Sequence, residues 1–165
     1  MLKVLVSSAL LLVLGIPAAG AERAFPGEST LPKSAEEQVV QGFFASFRKG
    51  DQEGVIRAFH PDCTLIAIRK GEPKRGEPYG SYSGLAGVKQ FLANLGQTFD
   101  TKAFGVEEVA GKGELVFARG SFTHIVRRTG RPFSSDWSLL CRIRDGRIVE
   151  YRFLEDSAAY VEANR

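Results

Sequence analysis

His124 and Tyr151 are the residues whose types could do chemistry near neutral pH. An imidazole titrates close to neutrality and can abstract a proton, and a phenol can donate a hydrogen bond to a substrate oxygen. Each has a plainer alternative. His124 could be a partly exposed histidine at a strand end, and Tyr151 an amphipathic core tyrosine with its hydroxyl at a rim. Tyr79 and Tyr82 flank the charged stretch Lys70–Pro78, where they could serve a lid or simply pack at a strand edge. His60 and Asp62 read as the end of a helix.

Other chemistries are not signalled. Two separated histidines and two distant cysteines make no metal-ligand cluster. The chain has no GxSxG nucleophile motif, no phosphate-binding loop and no dinucleotide fingerprint, so neither a metal nor a cofactor is expected. The cysteines, Cys63 and Cys141, could pair in an oxidising compartment, or they could be two buried small hydrophobes.

The elements that must position these residues can be read in order. Ser34 and Glu37 form a capping box in front of Val39, Val40, Phe43, Phe44 and Phe47, which recur at helical spacing, and Gly50 stops that helix. Asp51 can cap a second short helix, ended by His60-Pro61-Asp62 because the residue before proline avoids the helical region. Cys63–Ile68 is strand-like, and Lys70–Pro78 is a solvated loop. Tyr79–Ser83 is a short strand, and a third helix carries Val88, Phe91, Leu92, Leu95 and Phe99 on one stripe. Phe104–Val109, Leu115–Val126, Phe133–Arg144 and Ile148–Glu155 then make a run of strands, with Asp145-Gly146 as a hairpin turn. Helices segregated from such a run imply an α+β fold, with the helices on one concave sheet face and a cavity between.

With 165 residues, 44% of them apolar, the chain can bury one real core. Lys3, the apolar run Val4–Ile16 and the small residues Ala19-Gly20-Ala21 have the form of a signal peptide over 1–21, followed by a flexible leader over 22–33. The run is shorter than the roughly 18 residues of a membrane span. The protein is therefore expected to be exported, periplasmic or secreted, with no stable membrane insertion after cleavage. A formal net charge of +3 is too mild to suggest nucleic acid as a partner.

Several of these motifs, taken in order, resemble one family. Phe47-x-x-Gly50-Asp51, Phe59-x-Pro61-Asp62, Tyr82-x-Gly84 opening a helix, Thr129-Gly130-Arg131-Pro132 and Arg142-x-x-Asp145-Gly146-x-Ile148 resemble the SnoaL-like branch of the nuclear transport factor 2-like superfamily, to which ketosteroid isomerases also belong. The resemblance spans about residues 35–160. It implies a SnoaL-like domain over 34–160, a short C-terminal tail over 161–165, and a cystatin-like cone in which a curved mixed, mainly antiparallel sheet wraps around three N-terminal helices. It also implies a mostly apolar pocket for a small apolar or cyclic molecule and a homodimer formed through the outer sheet face.

Carried onto this sequence, the ketosteroid isomerase positions lose their chemistry. The oxyanion-hole tyrosine falls on Phe43, the base on Ala67 and the oxyanion acid on Leu139. In the family's register the inner rows are Cys63, Leu65, Ala67 and Arg69; Val116, Ala118, Gly120, Phe122 and His124; Ser135, Trp137, Leu139 and Cys141; and Val149, Tyr151, Phe153 and Glu155. Candidate catalytic residues are then His124 as base and Tyr151 as donor. Candidate ligand-binding residues are Phe43, Ala67, Arg69, Trp137, Leu139, Cys141, Tyr82 and Glu155. Arg69 and Glu155 could pair across the mouth, bind a charged ligand or simply be solvated rim charges, the default for such residues, and Trp137 could wall a ring or only pack. The implied function is either a cofactor-independent isomerase, cyclase or dehydratase, or a non-catalytic module that dimerises or binds a partner through the outer sheet face.

Overall fold

The computed structural model describes residues 32–74 and 77–165. The expected signal peptide, and all but the last two residues of the expected leader, lie outside them.

The chain starts as the capping box requires. Ser34 Oγ accepts from Glu37 N at 3.1 Å, Glu37 Oε2 accepts from Ser34 N at 2.9 Å, and α1 runs Ala35–Lys49 until Gly50 closes it at φ 68°. Asp51 caps the short α2 (Gln52–Arg57) by accepting from Gly54 N. His60-Pro61-Asp62 then lies inside a strand, β1 (Phe59–Ala67), instead of forming a loop. The preference that keeps a residue before proline out of the helix also favours extended backbone. Pro61 sits within the irregular pairing between Phe59 and Thr64, where the ladder skips its missing N–H.

β2 (Gly80–Ser83) folds back on β1, and α3 (Gly84–Thr98) crosses beneath the sheet. Phe99, expected on the helical stripe, instead opens β3 (Phe99–Lys112), which is longer than the sequence suggested. β4 (Leu115–Val126), β5 (Pro132–Arg144) and β6 (Arg147–Glu155) complete the meander. The sheet order is β2-β1-β6-β5-β4-β3, antiparallel throughout except where β1 lies parallel to β6. The mixed, mainly antiparallel sheet and its three N-terminal helices match the expected α+β fold. A fourth helix, α4 (Ser157–Ala163), spans the end of the expected domain and the first residues of the expected tail, and its Asp156 cap accepts from Ala158 N and Ala159 N.

Burial alternates along β4 and β5 as the inner rows require. On β6 a bulge opposite Arg142 and Ile143 puts Ile148 inside and leaves Val149 only half-buried. Asp145 and Gly146 turn the last hairpin at φ 50° and 69°. Gly120 is required by packing: a Cβ there would overlap the Gly105 carbonyl oxygen and come within 2.6 Å of Trp137 Cζ2.

Candidate functional site

The interior lies between α1, α2 and α3 on one side and the concave sheet face on the other. Phe43 and Phe47 come from α1, Phe59 and Ala67 from β1, Phe91 from α3, and Tyr151 and Phe153 from β6. The helical spacing of α1 and the two-residue alternation of the strands aim these side chains at one space. They nearly fill it. The enclosed volume is about 40 Å³, whereas a cavity on the order of 150 Å³ is what a benzene ring occupies. The roomy pocket expected for a ring is therefore closed by the chain's own aromatic side chains.

Four titratable groups line this space, Tyr79, His124, Tyr151 and Glu155. Glu155, at the end of β6, accepts a short hydrogen bond from the Tyr79 hydroxyl. Burial pushes its carboxyl up, the Tyr79 bond pulls it partly back, and Asp156 adds a smaller upward push, leaving it at about 7. The same burial and the Glu155 charge drive the Tyr79 hydroxyl upward, so the phenol stays a donor. Tyr160 of α4 packs edge-on against Tyr79 with centroids 4.9 Å apart and also touches Phe99 and Phe133, sealing this end.

His124 occupies another part of the wall. Its ring stacks on Phe122 at 4.1 Å and on Phe99 at 4.8 Å, and its buried Nδ1 has no hydrogen-bond partner among the described residues. Burial pulls it down to about 4. The imidazole is therefore neutral at physiological pH and a weak base, suited to hold a substrate oxygen more than to remove a proton. His124 pairs with Phe133 in the sheet register and Glu155 with Trp137, so the two meet β5 at different positions along the strand.

The other sequence candidates divide into two groups. Phe43, Ala67 and Tyr151 line the interior with His124 and Glu155. Tyr151 packs edge-on to Phe43 and tilted against Phe59 and Phe91, and burial drives its hydroxyl far up. Trp137, Leu139, Cys141, Tyr82 and Arg69 do not line it. Trp137 is sandwiched by Phe44, Phe104 and Phe153 at 5.2–5.6 Å, and its ring is core packing. Leu139 and Cys141 are sealed within the core. Tyr82 donates to Pro78 O at 2.7 Å and accepts from Asn94 Nδ2 at 3.2 Å, which ties the loop to α3. Arg69 makes no ion pair with Glu155, contrary to the pairing across the mouth. Cys63 and Cys141 are both buried and free, the second of the two readings.

No sequence pattern joins Tyr79, Phe99 and Tyr160, because Phe99 falls on the stripe of the third helix and Tyr160 at the end of the expected domain. Among the described residues no group of three His, Cys, Asp or Glu side chains is placed to hold a metal, and no helix is long and apolar enough to cross a membrane.

On the outer sheet face, Phe117 is 52% and Leu154 43% exposed. With Ala110, Leu140, Arg119 and Arg152 they line a shallow apolar depression.

Comparison with known proteins agrees with this architecture. The patulin synthesis protein F of Aspergillus clavatus is 28% identical over 102 residues, 58% of this chain and 52% of that protein, so the chain spans about half the length of the curated relative it matches. A nuclear transport factor 2-like protein from Burkholderia thailandensis superposes with a TM-score of 0.70 at 19% identity, covering 81% of this chain and 99% of that one. A polyketide cyclase-like protein from Xanthomonas campestris superposes with a TM-score of 0.66 at 15% identity, covering 79% and 97%. The model of the SnoaL-like domain matches residues 40–151, well over half of the sequence, and the chain belongs to the SnoaL-like domain family.

Proposed function

We propose that this is an exported, cofactor-independent enzyme of the isomerase, cyclase or dehydratase kind, acting on a small apolar or cyclic molecule inside the cone, with Glu155 transferring the proton. The observation that carries the reading is Glu155 itself. It is a carboxyl in an apolar interior, held by Tyr79 and poised at about 7, where a general acid or base works best. His124, neutral and with a free Nδ1, is assigned to a substrate oxygen, and Tyr151 to the wall beside it. A ring can be admitted only if aromatic wall residues withdraw. We place that opening at α4, where Tyr160 packs over Tyr79 and the helix is tied to the β4–β5 turn by Thr129 Oγ1 to Ala163 O and Arg128 Nε to Asn164 Oδ1. Export is inferred from residues 1–21 alone.

The test begins with native mass spectrometry of protein purified from its own host, expected to release a retained small molecule. That molecule, with a panel of cyclic enones and lactones, is then offered to the wild type and to Glu155→Gln. We expect turnover to fall by at least about 100-fold in the variant. Turnover equal in the two proteins removes Glu155 from the chemistry.

A second reading rests on the outer face. Exposed Phe117 and Leu154 beside Leu140 favour a homodimer through the convex sheet, since clustered exposed apolar side chains mark association surfaces.

A further inference from the structure

Arg69 and Glu155 are opposite charges that a regular strand would pair. In the parallel ladder of β1 and β6, Leu65 lies beside Tyr151 and Ala67 beside Phe153, and two more residues in that register would set Arg69 beside Glu155. The chain departs from the register at Ile68. Ile68 N still donates to Phe153 O at 2.9 Å, but Arg69 N then turns back to Ala67 O at 2.7 Å, with Ile68 at φ 62°. That is the strained form of the γ-turn, on a β-branched residue that avoids the left-handed region. Strain of this kind marks places where geometry is held for a purpose.

The turn leaves both charges without an ionic partner among the described residues. Arg69 Nη1 donates to Glu72 O at 3.2 Å, while Nη2 is buried with no hydrogen-bond partner among the described residues. Among the described residues Glu155 has only the Tyr79 hydroxyl. A guanidinium fork with one buried, unused arm bears a desolvation penalty that an anionic oxygen relieves. Arg69 follows two residues after Ala67, which lines the interior, and the loop it enters is tied back to β2 where Ser81 N donates to Gly71 O at 2.7 Å, so Arg69 stands at the rim of the interior beside the start of β2, outside the lined space itself.

We propose that the Ile68 turn holds the Arg69/Glu155 pair open for a ligand, and that the ligand is a small cyclic or aromatic acid whose carboxylate docks on Arg69 while its apolar body faces Glu155. This rests on the reading of the interior as the ligand site and adds the class of molecule. The permanent guanidinium charge selects for the anion, and Ile68 is a positioning residue.

The probes are benzoate and its neutral isostere benzamide, followed by ligand-observed NMR against the full chain. We expect the wild type to bind benzoate about tenfold more tightly than benzamide. Arg69→Gln should lose that preference, and Arg69→Lys should keep part of it. Equal binding of the two probes by the wild type overturns the proposal even if Arg69→Gln does not fold, and leaves the interior as a site for neutral molecules. A preference that survives in folded Arg69→Gln also overturns it. Binding of neither probe overturns it together with the reading of the interior.

Discussion

The Tyr79 hydroxyl donates to the Glu155 carboxylate at the end of an interior otherwise lined almost entirely by apolar side chains. Burial raises the carboxyl and this one bond lowers it, so Tyr79 sets where Glu155 titrates. A hydrogen bond to a charged group contributes about 1.5–3 kcal/mol. Tyr79→Phe should therefore raise the Glu155 pKa by at least about one unit. Carbon-13 NMR of the labelled carboxyl reads this directly, and an unmoved titration would show the bond to be absent in solution.

Glu155 and His124 have opposite effects on stability over overlapping pH ranges. The carboxyl is raised from its ordinary 4.5 to about 7, so the folded state binds the extra proton and stability falls as pH rises through that window. The imidazole is lowered from 6.5 to about 4, so the unfolded state binds the extra proton and stability falls as pH drops through that window. Each is worth about 3 kcal/mol at full effect, and between 4.5 and 6.5 they oppose each other. Thermal melts of the wild type should therefore be nearly flat there. Glu155→Gln should lose stability toward pH 4.5, and His124→Phe should gain it. The differences should be on the order of 10 °C in Tm.

Gly120→Ala should destabilise the protein by about 1–3 kcal/mol or more, since its Cβ would meet the Gly105 carbonyl and Trp137 at once. Denaturant unfolding followed by the fluorescence of Trp137, the single tryptophan, reports both the loss and the displaced ring. A variant as stable as the wild type would mean that β3 and β4 are not so closely apposed at Gly105.

If the outer face joins two copies, Phe117→Glu with Leu154→Glu places like charges across the contact. Sedimentation velocity should show a wild-type dimer and a monomeric double variant, while single-chain stability changes little because both side chains are exposed. A monomeric wild type at micromolar concentration would remove this reading.

Part of this molecule is written locally. The Ser34/Glu37 box, Gly50, the Asp145-Gly146 turn and the alternation along β4 and β5 each depend on neighbours a few residues away, and each forms as the sequence indicates. The same local signals gave the α+β order and, through the motif series, the family.

Other features are decided by contacts between residues far apart in the chain. Phe99 leaves the helix because α3 ends where β3 can pair with Val126. Ser157–Ala163 is helical because Tyr160 finds Tyr79, Phe99 and Phe133 to pack on. Local patterning shows that an interior exists but cannot show how full it is; its volume of about 40 Å³ depends on rings from α1, α3 and four strands meeting at once.

The chemistry follows the same division. Sequence alone determined that His124, Tyr151, Arg69 and Glu155 were the groups to weigh, because side-chain type fixes what a residue can donate, accept or titrate. Tertiary structure decided among them. Stacking with Phe99 and Phe122 makes His124 a weak base. The turn at Ile68 takes Arg69 out of register with Glu155, and burial with Tyr79 leaves that carboxyl near neutrality. A pKa is a property of the environment a group is folded into, and that environment here comes from residues up to 76 positions away.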